Sequence, residues 1–154
     1  MISQDNNLTS REPQMREIIS FSHLSAVMAS IGEEIRHLAE FDDVQAVLLF
    51  RVDGRVLESQ YQEEASEIVL IVVSWVRNII SKTTEELQRG SRSVKYDKEI
   101  NRKLTIPVYF YLAGQSSILV TLLDSKANCG LMEIEMSRTA KRLGWIIDEK
   151  RLLD

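Results

Sequence analysis

Residues Glu63–Leu87 read EEASEIVLIVVSWVRNIISKTTEEL, and the fold turns on whether they form one helix or several strands. The block Ile68–Val73 is dense in β-branched residues, which locally favours a strand. Against that, neither Gly nor Pro interrupts these 25 residues, a length natural for a helix and long for a strand. The stretch therefore reads as one helix of roughly 37 Å at 1.5 Å per residue. Glu85, Glu86 and Gly90 close it. Its apolar positions occupy well over half of the circumference, so it must be covered on more than one side, and a sheet covers one. The stripe Ile68, Val72, Trp75 and Ile79 is expected to face away from the sheet and meet a partner chain. Each of these side chains would contribute roughly 1.5–3 kcal/mol on burial, before association costs. The alternative cover is the first helix or the N-terminal leader of the same chain. The run Ile68–Val76 is broken by Ser74 and flanked by Glu67 and Arg77, well short of the ~20 apolar residues that span a bilayer.

Working outward, the first residues are polar and contain Pro13, and 1–20 read as a mobile leader. From Leu24, the positions Val27, Met28, Ile31, Ile35 and Leu38 recur by three and four, the pattern of an amphipathic helix. Val44–Phe50 is a continuous apolar run of strand length, covered on both faces. Val52-Asp53-Gly54-Arg55 signals a hairpin with a type I′ turn centred on Asp-Gly, leading into a strand from Val56 to Gln60. After Gly90, Ser91–Asp97 reads as a polar edge strand with Val94 and Tyr96 on one face. Leu104–Leu112 and Ile118–Leu123 form two adjacent antiparallel strands, with Pro107 requiring a strand start, a bulge or an unpaired side. Asp124–Asn128 supplies cap chemistry for a last helix with an inner stripe of Met132, Met136, Thr139, Ala140 and Leu143, ended by Gly144.

The order α-β-β-α-β-β-β-α implies an α+β (α/β), three-layer domain over 21–144: a five-stranded antiparallel sheet with helices on both faces. Residues 145–154 read as a C-terminal tail.

The 154-residue chain carries 19 Lys plus Arg against 23 Asp plus Glu, a formal charge of −4 that offers no field for nucleic acid. One cysteine excludes an internal disulfide, and two histidines leave few metal ligands. His23 and His37 lack a matched acidic ligand, and Cys129 has no histidine near it in sequence, so all three read as packing or surface residues. Neither G-x-x-x-x-G-K-[ST] nor G-x-G-x-x-G occurs. Arg89, Arg92, Lys95, Lys98, Arg102 and Lys103 are offset by nearby carboxylates and read as a solvated loop. Tyr109 and Tyr111 share a strand face that a helix or subunit contact is expected to cover. No catalytic residue, cofactor or metal is assigned. The opening residues carry neither a basic n-region nor an apolar h-region, so a cytoplasmic setting is the expectation.

The hairpin Val47-Leu48-Leu49-Phe50-Arg51-Val52-Asp53-Gly54-Arg55-Val56-Leu57 and the segment Leu122-Leu123-Asp124-Ser125-Lys126-Ala127-Asn128-Cys129-Gly130-Leu131 resemble the roadblock/dynein light chain family. The resemblance spans Ile31 to Leu143 and agrees in element order; the leader, the β-branched second helix and the tail depart from the family pattern. It implies a non-enzymatic homodimer in which the second helices pair and the third strands, through Val94 and Tyr96, join edge to edge. It further implies a platform for a small Ras-like GTPase, or a dynein-type cargo adaptor subunit. No arginine finger follows for Arg55, Arg77, Arg92 or Arg138 from fold analogy. The competing class is a PAS- or profilin-like small-molecule sensor, since such sheets can enclose a pocket.

Overall fold

A computed structural model describes residues 23–149 of the chain. The expected element order is present. Helix α1 occupies 23–39, followed by β1 (Val44–Arg51), β2 (Val56–Tyr61) and a 3-10 turn (Glu63–Ala65) leading into α2 (Ser66–Gln88). Strands β3 (Val94–Asn101), β4 (Leu104–Leu112) and β5 (Ser117–Leu123) then precede α3 (Cys129–Glu149). The strands form one antiparallel sheet in the order β2-β1-β5-β4-β3, so β2 and β3 are its edges. The leader 1–20 lies outside the described residues.

The sheet divides the core in two because strand side chains alternate between faces. Val47, Leu49, Tyr109, Tyr111 and Leu119 pack beneath α1 and α3, against Ile31, Ile35, Met132 and Met136. Ala46, Leu48, Phe50, Val108 and Val120 pack on the opposite face beneath α2, against Val69, Val72, Val76 and Ile80. Burial on both faces explains why β1 and β5 lack the apolar–polar alternation of a one-sided sheet. The inner stripe of α3 is as expected: Met132, Met136, Thr139, Ala140 and Leu143 are all buried. Pro107 lies opposite Asp97 of β3, and pairing with β5 begins one residue later, at Val108, so the proline sits just outside that ladder.

Three local expectations are corrected. The β1–β2 turn is not centred on Asp53-Gly54: the Gly54 N–H donates to Arg51 O at 2.9 Å, which makes Val52 and Asp53 the central residues. Gly54 follows in the left-handed region (φ 95°) beside a register shift between Leu49 and Phe50, the turn-plus-bulge form of a hairpin. Strand β3 starts at Val94 instead of Ser91, because the Ser91 N–H turns back to Glu86 O at 3.4 Å and Gly90 (φ 113°) closes the end of α2. Gly144 does not end α3. The helix continues through it to Glu149, and Ile146 and Ile147, assigned above to the tail, are buried in the core. Gly144 is present for proximity: a Cβ built there would lie 2.6 Å from the backbone nitrogen of Gly114 in the β4–β5 turn. Beyond it, Asp148 accepts a hydrogen bond from the Gln115 N–H at 3.2 Å.

The start of α3 is tied to the start of β1. Asn128 Oδ1 accepts from the Leu131 N–H at 3.2 Å and caps the helix, while the Asn128 N–H donates to Asp43 Oδ2 at 3.1 Å. Gly144→Ala should lower the unfolding free energy by about 1–3 kcal/mol in urea titration, because two backbones must separate to admit one methyl group.

Candidate self-association surface

Helix α2 crosses its face of the sheet with an inner stripe of Val69, Val72, Val76, Ile80, Thr83 and Leu87, every one buried. Val72 is therefore corrected: it faces the sheet, is fully buried, and offers nothing to a partner. The spacing 68-72-75-79 is a valid helical stripe, but it lies rotated from the observed one and shares Val72 with it. Ile68, Trp75 and Ile79 are half-buried on the flank of α2 and pack at the margin of the second core.

The residues that point outward had not been singled out. Leu70 is 71% exposed and Ile71 42%, both on the N-terminal half of α2. The outer face then turns polar through Ser74, Asn78 and Lys82. A distinguishing signal lay in the C-terminal half: only the phase running through Thr83 and Leu87 keeps one stripe inward along the whole helix, and that phase turns Leu70 and Ile71 out.

On the flank, Trp75 stands edge-on to Tyr96 at 5.3 Å between ring centroids, and Tyr96 stands edge-on to Phe110 at 5.5 Å. Lys98 Nζ lies 5.3 Å from the Trp75 ring centroid. The Tyr96 hydroxyl is 3.3 Å from Thr83 Oγ1. Val94 and Tyr96 thus share the α2 face of β3, half-buried. On the other face Lys95, Asp97 and Glu99 are exposed, with Lys95 Nζ 3.7 Å from Asp97 Oδ1. Ile71 lies one helical turn before Trp75, so this exposed residue and the β3 edge, unpaired among the described residues, flank the same aromatic cluster.

The other sequence candidates are structural or dispersed. Tyr109 and Tyr111 are buried and stack at 6.5 Å, so neither offers an open ring face. Burial raises both phenols above the ordinary value of 10.0, and for Tyr109 the adjoining Cys129 thiol and Glu133 carboxylate push the same way. Arg77 Nε donates to Gly54 O at 3.3 Å and braces the hairpin against α2. His37 pairs with Glu33 on its own helix at 3.8 Å, and Arg138 with Glu135 at 3.6 Å. A cleft of about 660 Å³ opens at one end of the sheet; its lining mixes Arg36, Glu40, Asp42 and Glu64 with Phe41, Val44, Tyr61 and Ile68. Among the described residues no helix is long and apolar enough to cross a membrane.

This architecture is the roadblock/LC7 fold. The MglB of Myxococcus xanthus superposes with a TM-score of 0.61 at 13% identity, covering 78% of this chain and 96% of that one. An MglB with tetrameric arrangement gives 0.60 at 19% identity over 81% and 93%. A roadblock/LC7 domain from Streptomyces avermitilis gives 0.51 at 15% identity over 76% and 91%. At these identities the likeness is one of fold. Residues 28–137 match the AF0774-like protein family, and the chain belongs to that family. No curated protein matches it.

Two measurements check this geometry. Val72→Ala should cost about 2 kcal/mol of stability in urea unfolding, through lost burial and the cavity left behind. Leu70→Ala at low protein concentration should change it by less than about 0.5 kcal/mol. The raised phenol values carry a defined sign. Their contribution is complete below pH 10.0, the ordinary tyrosine value, and is lost as pH rises beyond it, because ionising the folded form is the harder process. Unfolding free energy should therefore fall above about pH 10, and Tyr109→Phe should flatten that fall.

Proposed function

We propose that the protein is a non-enzymatic, cytoplasmic, homodimeric scaffold of roadblock type that binds or regulates a small Ras-like GTPase. The observation that carries the homodimer is the exposed pair Leu70 and Ile71 on a helix flanked by a sheet edge that is unpaired among the described residues. Exposed apolar residues beside an unpaired strand are a surface that association buries. A two-fold dimer covers both at once, helix against helix and edge against edge, using one patch on each chain. Of the sequence-derived contacts, Ile68, Trp75, Ile79, Val94 and Tyr96 remain in this interface at its margin, Leu70 and Ile71 join them, and Val72 leaves. An MglB of the same fold has a tetrameric arrangement, which supports self-assembly as a use of this scaffold. The GTPase rests on the family resemblance.

Light scattering over a dilution series to low micromolar concentration should give twice the 17.7 kDa chain mass. Ile71→Glu should return the mass to that of one chain with its circular dichroism intact, since the new charge is buried only in the dimer. For the partner, affinity must differ between the GDP and GTP forms of the GTPase, by about tenfold for useful coupling, because equal affinity regulates nothing. Equal binding to both forms would reduce the reading to a passive scaffold.

A further inference from the structure

Strand β3 has one neighbour, β4, among the described residues, and in the proposed homodimer its other edge meets a second copy of itself. The inference here rests on that reading and specifies the alignment of the two edges. With both α2 helices on one face of the joined sheet, directly opposed residues must point to the same face. The two-fold axis therefore passes beside one residue, and among the four charged or aromatic residues 95–98 each choice sets a different pattern of opposed charges.

With Lys95 or Lys98 on the axis, a lysine faces its own copy, and the Lys98 choice also opposes Asp97 to Glu99. With Asp97 on the axis, Lys95 faces the partner's Glu99, but between those two pairs an aspartate faces its own copy. Like charges directly opposite are destabilising. With Tyr96 on the axis, Lys95 faces the partner's Asp97 and Asp97 faces the partner's Lys95, while Glu99 is moved outward. We infer that Lys95 and Asp97 form a self-complementary charge code that pairs two β3 edges with Tyr96 at the two-fold axis.

One observation and two consequences of this alignment support it. Lys95 and Asp97 already lie 3.7 Å apart on one face, with side chains 43% and 66% exposed. The pairing closes them into a square of alternating sign in which every ammonium stands between two carboxylates and the net charge is zero. On the opposite face the same alignment brings Tyr96 beside its copy. An aromatic pair across the strands then extends the cluster of Trp75, Tyr96 and Phe110 over the axis. The occupant of the edge is accordingly a second copy of this chain. A strand lacking opposite charges at the two matching positions forfeits the square, so the code also favours like over unlike chains.

The test uses the full chain, with dimer Kd read by analytical ultracentrifugation and folding by circular dichroism. Asp97→Asn should raise Kd about tenfold, and Glu99→Gln should change it by less than about twofold. Lys95→Asp and Asp97→Lys singly should each raise Kd by more than about tenfold, whereas the double exchange should return to within about threefold of the parent. If Asp97→Asn tightens the dimer and Glu99→Gln weakens it, Asp97 occupies the axis and the inference is overturned. If no variant alters a stable dimer, the β3 edge lies outside the interface; the inference fails and the homodimer survives on α2. A parent chain that stays monomeric at every concentration removes the homodimer itself.

Discussion

The architecture depends on a sheet that is buried from both sides. A strand covered on one face tolerates polar residues at every second position, but β1, β4 and β5 run between two helical layers and have almost no such freedom. Ala46, Leu48 and Phe50 point to α2 while Val47 and Leu49 point to α1 and α3, so a one-residue slip of β1 would exchange the two cores wholesale. That register in turn sets where the helices lie. Among the described residues α1 and α3 together fill one face, whereas α2 alone covers the other, and a single helix cannot enclose its own outer side.

Polar and steric ties hold the helical layers in place around this sheet. Asp43 and Asn128 link the first strand to the cap of the last helix across 85 residues of sequence. At the far end of α3, Gly144 lets the helix pass over Gly114, and Asp148 accepts from the adjoining turn. On the other face Arg77 braces the hairpin through Gly54 O. Each tie fixes one helix end or flank against a loop, where apolar contact alone leaves sliding freedom.

Much of this was legible in the chain itself, for a physical reason. Apolar periodicity reports what a residue's own element buries, so the element order, the two-sided strands and the inner stripe of α3 could all be read directly. Features set by a distant neighbour could not. Gly144 looks like a helix terminator until the turn at Gly114 is beside it. The hairpin signal Asp53-Gly54 was correct as a turn and wrong in type, because the bulge beside Phe50 takes up the extra residue. Helix α2 was the hardest case: with apolar residues at every position from Ile68 to Val73, several stripes fit equally well, and the phase became decidable only through Leu87 and through Thr83, whose polarity conceals its burial. The same ambiguity displaced one predicted contact, Val72, and hid two exposed ones, Leu70 and Ile71.

The resolved phase separates two tasks that one helix performs. Val69, Val72, Val76 and Ile80 belong to the fold and are satisfied within a single chain. Leu70 and Ile71 contribute nothing to that core, and they are confined to the first turns, before the outer face becomes polar at Ser74 and Asn78. Because the apolar outer surface is short, helix-to-helix contact alone would bury little area, and a stable homodimer needs the β3 edge as its second component. In the proposed dimer the edge would supply backbone hydrogen bonds, which are strong but indifferent to alignment, and the alternating charges of Lys95 and Asp97 would supply the alignment. Area then comes from α2, directionality from the strand backbone, and register from two exposed side chains.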